Sequence, residues 1–197
     1  MSVWKGCLVF IIVERVFMIK FFIIVYLLLC KSSLGNEVLF EDFNNNPQDQ
    51  WEFISDQVMG GESYGTVEFI NQKNKLFARM TGSVSLENNG GFIQFRKKLK
   101  KSFDKNSKGI KIVARGNTEQ YFIHIRTKGT LLPWQYYQAA FSVNTNWQSI
   151  TIPIESFKRS SIMLSKNIIP SNIKSIAIVA YGKEYLALID VSKVSIY

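Results

Sequence analysis

The sequence predicts an all-β fold, a β-sandwich or jelly roll, from about residue 36 to residue 197. Three observations carry that expectation. No stretch after residue 36 shows the 3.6-residue apolar period of an amphipathic helix. Short apolar or alternating runs recur instead, each ended by Gly, Asn, Pro or Lys, which is the pattern of many short strands joined by turns. Hydrophobic residues make up 47% of the 197-residue chain and aromatic residues 14%, enough apolar material to build a core rather than a disordered segment.

The runs place strands at 37–43, 51–55, 64–71, 75–86, 91–99, 109–116, 120–128, 134–143, 147–154, 173–181 and 185–196. The alternation is clearest in 120–128. There Tyr121, Ile123 and Ile125 fall on one face, and Phe122, His124 and Arg126 on the other. Asn89-Gly90 reads as a hairpin turn between the strands that flank it. The stretch 155–172, with Ser160, Ser161 and Pro170, lacks a strand pattern and reads as a loop across one end, with room for one helical turn.

Ahead of the domain stands a leader. Lys20 is followed by about ten apolar residues and then by small ones, with Ser33 and Gly35 at the −3 and −1 positions of a cleavage site after Gly35. This predicts export, periplasmic or secreted, and makes residues 1–35 a signal segment with Met18 the candidate true start. The apolar run is short of the about 20 residues a spanning helix needs, although an uncleaved signal anchor is the alternative. Leu29 is too large for the position before a lipidated Cys30, and a mitochondrial presequence would be richer in Arg and Ser.

Charge and cysteine usage exclude several function classes. The formal charge is +9; Lys5, Arg15, Lys20 and Lys31 against Glu14 put +3 of it in the leader and leave +6 on the domain. That charge is scattered and unaccompanied by an aromatic stacking pattern, so no nucleic-acid partner is expected. Cys7 and Cys30 both lie in the leader, so the domain has no disulfide framework and no thiolate for metal or catalysis. His124 is the only histidine. Without a companion it is expected to be structural, and no metal and no cofactor are predicted. No Ser-His-Asp arrangement stands out, and no Gly-x-Gly-x-x-Gly joins a strand to a helix.

Two stretches are distinctive. In the first, Trp51 is a large apolar anchor and Asp56 can hold a turn by accepting backbone N–H groups. Gly60 and Gly61 permit unusual backbone or close approach, Met59 precedes them, and Ser63 can bond back across the loop. In the second, Gly82-x-x-Ser85-Leu86 leads through Asn89, Gly90 and Gly91 to Phe92 and Arg96. Trp51, Ser55-Asp56-x-x-Met59-Gly60-Gly61-x-Ser63, Gly82-x-x-Ser85-Leu86-x-x-x-Gly90-Gly91-Phe92 and Arg96 resemble the family of complex I intermediate-associated protein 30. Arg126-Thr127, the Tyr136 to Phe141 run, Trp147, Pro153 and Phe157 extend the resemblance over nearly all of 38–197. The end of the chain, 184–191, follows the pattern only loosely. The resemblance implies a galactose-binding-like jelly roll and a non-enzymatic role, with a respiratory-complex subunit or assembly intermediate as protein partner.

The candidate binding surface is the face that carries Phe122, His124 and Arg126, joined by Tyr136 and Gln138 if the 134–143 strand pairs alongside. A guanidinium offers several donors and the rings offer stacking area, a combination suited to a polar ring compound or a peptide. The alternative for Arg126 is a buried side chain bonded to backbone carbonyls. The loop from Asp56 to Ser63 is either a lock between strands or a rim that meets a partner. The basic run from Arg96 to Lys101 is either a guarded sheet edge or a weak attraction to anionic membrane or an acidic partner. Two functions follow, protein binding in assembly and, alternatively, an exported carbohydrate-binding module. The second requires exposed planar aromatics, with Trp134, Tyr136 and Tyr137 as the test.

Overall fold

The structure is a computed structural model that describes residues 37–197; the leader, its cleavage after Gly35 and the start at Met18 lie outside the described residues. Twelve strands are present among the described residues: β1 (Val38–Glu41), β2 (Trp51–Ser55), β3 (Tyr64–Gln72), β4 (Lys75–Val84), β5 (Phe92–Lys98), β6 (Gly109–Gly116), β7 (Gln120–Thr127), β8 (Tyr137–Ser142), β9 (Gln148–Pro153), β10 (Lys158–Arg159), β11 (Ile173–Tyr181) and β12 (Tyr185–Ile196).

They form two six-stranded antiparallel sheets. The first runs β3-β4-β12-β6-β9, with β1 also paired to β12; the second runs β10-β8-β7-β11-β5-β2. The long β12 organises the first sheet. Its opening half pairs with β4 from Tyr185 to Val191, and its closing half pairs with β1 through Val38 opposite Ile196. β6 runs along it from Ile189 to Ile196.

Between the sheets lies one core. Alternation delivers Met80, Ile112, Ile189 and Val194 from the first sheet, and Phe95, Tyr121, Ile123, Ile125, Ile176 and Ile178 from the second, all fully buried. Tyr121 also ties the layers together, because its hydroxyl donates to Asn117 (2.7 Å) and accepts from the N–H of Leu188 in β12 (2.9 Å). Burial pushes its phenol well above the usual tyrosine range.

Four expectations need correction. Asn89-Gly90 makes no hairpin, since β4 and β5 belong to different sheets. Asn88 and Asn89 both take left-handed backbone (φ 55° and 57°) in a short turn that carries the chain from one layer to the other. The tight hairpin joins β3 to β4 instead, with Lys73 and Asn74 at φ 50° and 60° between the paired Gln72 and Lys75, the double positive φ of a type I′ turn. The expected strand 134–143 begins only at Tyr137, and Trp134 sits in the preceding turn, 61% exposed. The stretch 155–172 carries a two-residue strand, β10, besides its short 3-10 turns. Finally, the Arg96–Lys101 run does not close an edge, because β5 lies between β11 and β2.

Candidate functional site

The outer face of the second sheet gathers side chains from five strands. His124 on β7 stands opposite Gln138 on β8 and Ala177 on β11. Ala177 stands opposite Arg96 on β5, which stands opposite Glu52 on β2. The row above is Ala140, Phe122, Val179 and Gln94, and the row below sets Arg126 opposite Ser175. Small residues occupy the middle of this face. Ala177, Val179 and Ser175 point outward yet are buried.

Aromatic rings pack against one another on this face. Tyr136, one residue before β8, stacks on the His124 imidazole with centroids 4.1 Å apart and planes 12° from parallel. Tyr181, at the end of β11, meets Phe122 and His124 edge-on, each at 5.7 Å. Burial and the adjacent Tyr181 hydroxyl together raise the Tyr136 phenol above the usual tyrosine range.

The polar groups of the face are incompletely matched. Burial lowers the His124 pKa to about 3, against a smaller opposing effect of Gln138, so the ring is neutral. His124 Nε2 and Gln138 Oε1 lie within reach of each other, yet neither has a hydrogen bond of good geometry, and Arg96 Nε is also buried and unpartnered. Such atoms are uncommon in folded proteins. Arg96 donates through Nη2 to the exposed Glu52 carboxylate at 2.9 Å. Arg126 meets no carboxylate. It donates to the carbonyl oxygens of Leu132 (2.8 Å) and Thr130 (3.4 Å), the bonding anticipated as its alternative, but the side chain is half-exposed rather than buried.

Those carbonyls belong to a rim loop. The side-chain oxygen of buried Gln135 accepts from the N–H groups of Leu131 and Leu132, which closes the loop on itself. Leu131 and Trp134 are left exposed at its tip. Of the three aromatics set as a test of sugar binding, Trp134 is thus exposed, Tyr136 half-buried and Tyr137 buried.

The other distinctive residues do not join this face. Asp56 is fully buried and accepts from the Ser63 hydroxyl (2.5 Å), the Ser63 N–H (2.9 Å), the Gly91 N–H (2.6 Å) and the Phe92 N–H (3.2 Å). Burial raises its pKa, but these four bonds outweigh burial and hold it below the usual range. Ser63 Oγ in turn accepts from the Ser85 N–H. A side chain on Gly61 or Gly90 would run into the Asp56 carboxylate, so both glycines are required by close approach. Gly60 takes φ 88° at the exposed corner beside Met59. The spacing of this motif is therefore that of a lock binding the ends of β2, β3, β4 and β5.

Sequence reasoning placed Phe122, His124, Arg126, Tyr136 and Gln138 together, and the structure brings them together. It missed Tyr181 and the position of Arg96 on the same face. Among the described residues no three His, Cys, Asp or Glu side chains converge as a metal site. A groove of about 480 Å³ lies beside this face, between the β2 edge and the basic end of β5, with Trp51, Glu52, Lys98 and Lys100 on its walls.

The comparisons agree with this architecture. The family profile of complex I intermediate-associated protein 30 matches residues 40–188. No curated protein sequence gives a match. Among solved structures, the fold is similar to a family 11 carbohydrate-binding module from Clostridium thermocellum in complex with a β-1,3-1,4-mixed-linked tetrasaccharide. The TM-score is 0.68 at 15% identity, over 81% of this chain and 94% of that one. The same module family of the cellulosomal cellulase Lic26A-Cel5E of Clostridium thermocellum gives 0.66 at 15% identity, over 81% and 93%. An exo-β-agarase gives 0.55 at 9% identity, with 81% of this chain aligned to 25% of that one. At these identities the likeness is one of fold, a jelly roll.

Proposed function

Because this chain belongs to the complex I intermediate-associated protein 30 family, we propose that it is a non-catalytic binding domain that offers the outer face of its β10-β8-β7-β11-β5-β2 sheet to a protein partner, as an assembly factor does. The partner class is a respiratory-complex subunit or assembly intermediate. The observation that carries the reading is the prearranged face itself: Tyr136 stacked on a neutral His124, with buried polar atoms of His124, Gln138 and Arg96 left without partners. Rings and polar groups held in place before contact reduce the ordering cost of association. The domain would cover a partner's surface until assembly proceeds, with no bond made or broken. The leader directs it to export after cleavage near Gly35; retention of the leader would leave it anchored. N-terminal sequencing of purified protein reads this directly, with Asn36 as the first residue if cleavage occurs.

The test of function is capture from the native cell by the tagged chain, beside a variant carrying Tyr136→Ala and Trp134→Ala. Respiratory subunits should be retained by the first and lost by the second. Equal recovery in both would remove this face as the docking surface.

Carbohydrate is the second reading, favoured by the stacked and edge-on rings of Tyr136, Tyr181 and Phe122 with Trp134 exposed at the rim, and by a tetrasaccharide held on a similar fold. Saturable binding of a neutral glycan, abolished by Tyr136→Ala, would put it first.

A further inference from the structure

We propose that Arg126 and Arg96 form a seat for a carboxylate, so that the partner segment docked on this face is an acidic peptide; the inference rests on the docking role proposed above. The register sets Arg126 opposite Ser175 and Arg96 opposite Ala177, neighbours on one face of β11. Ser175 and Ala177, both buried, are the β11 residues that the register sets between the two arginines. Each arginine is fixed from outside this gap. Arg126 is held by the Leu132 and Thr130 carbonyls, and Arg96 by Glu52 at the far edge. Neither hold uses all the donors of its guanidinium group, and Arg96 Nε has no partner.

Two arginines do not sit close together on a half-buried surface without cost. Burial lowers the Arg126 pKa, and the charge of Arg96 acts in the same direction. Lys98, opposite Ser175 in the same row as Arg126, adds a third cation, whereas Glu52 is the only carboxylate in the rows described and it lies at the margin. An arriving carboxylate would balance this charge, accept two of the unused guanidinium donors and form the charge-assisted bonds for which arginine is suited. Its chain neighbours would meet the Tyr136–His124 stack and the rim loop that exposes Leu131 and Trp134. That mixture of apolar rim and cationic centre suits a peptide in which an acidic residue is flanked by apolar ones.

The experiment titrates the full chain by calorimetry with end-blocked tetraglutamate, with tetraglutamine as its neutral counterpart, and with tetragalacturonate. Tetraglutamate should bind saturably and at least about tenfold more tightly than tetraglutamine, the scale of a charge-assisted contact. Arg96→Gln should remove that advantage. Arg126→Gln should do the same, and Arg126→Lys should keep part of it, which separates charge from the support Arg126 gives the rim loop. Tighter binding of tetragalacturonate than of tetraglutamate would overturn the peptide assignment and give the seat to an acidic glycan. If neither acidic ligand exceeds tetraglutamine, the seat is rejected. The docking role is judged separately by the Tyr136→Ala and Trp134→Ala capture, which leaves both arginines intact.

Discussion

The Tyr136 ring covers the His124 imidazole at 4.1 Å and closes it off from water. That lid makes His124 a pH-sensitive element. Its folded pKa is about 3, against about 6.5 when unfolded. The neutral ring therefore contributes stability that is fully present above about pH 6.5 and is lost as pH falls towards 3. The expected slope is about 1.4 kcal/mol per pH unit within that window. Urea denaturation at a series of pH values reads it. His124→Gln should flatten the slope between pH 6 and 4, and an unchanged slope would show that the imidazole is not the group responsible.

Asp56 sets the next expectation. Gly61→Ala and Gly90→Ala each push a methyl group into its carboxylate and should cost about 3 kcal/mol, in the range of buried overpacking with a broken polar network. Gly60→Ala meets open space and only a positive φ, so about 1 kcal/mol is expected. Equal losses at positions 60 and 61 would contradict the collision. Because the folded Asp56 pKa is depressed, its contribution holds above about pH 4, the unfolded value. It declines as acid protonates the carboxylate.

On the opposite sheet, the buried Asp190 carboxylate takes Arg79 through two bonds (2.7 and 2.8 Å) and Arg115 through one (2.8 Å). Asp190→Ala strands two cations together and should destabilise by about 3 kcal/mol. Arg79→Ala should cost less, about 1 kcal/mol, since Arg115 still answers the charge. A double-mutant cycle that gives no coupling between Arg79 and Asp190 would contradict this arrangement.

Tyr121→Phe leaves the packing intact but removes the acceptor for the Leu188 N–H and the donor to Asn117. A loss of about 1 kcal/mol is expected, with faster amide exchange at Leu188. Protection unchanged at Leu188 would mean that the hydroxyl does not hold the two layers.

Much of the strand layout was legible because half-buried strands alternate. β7 showed this best, since Tyr121, Ile123 and Ile125 face the core and Phe122, His124 and Arg126 do not. β11 was found with its bounds, 173–181, but not with its faces. Ile176 to Ala180 is buried on both sides, so the sequence shows no alternation, and the outward Tyr181 could not be assigned to the site. Trp134 read as strand because it lies in one run with Tyr136 and Tyr137. The chain turns there because Gln135 caps two backbone N–H groups within its own loop, a bond without a sequence signature. Asn89-Gly90 signalled a turn correctly but not its destination, which Asp56 fixes from a distant part of the chain by gripping the Gly91 N–H.

Val38 and Ile196 are partners in the same ladder, so the two ends of the domain lie side by side. A circular permutant is therefore within easy reach. A short Gly-Ser bridge from Tyr197 back to Glu37 would close the loop, and opening the chain between Lys73 and Asn74 would place new ends at an exposed corner of the first sheet. Such a rearranged protein would keep every strand pairing except the β3–β4 turn, and would let a reporter be fused far from the arginine face.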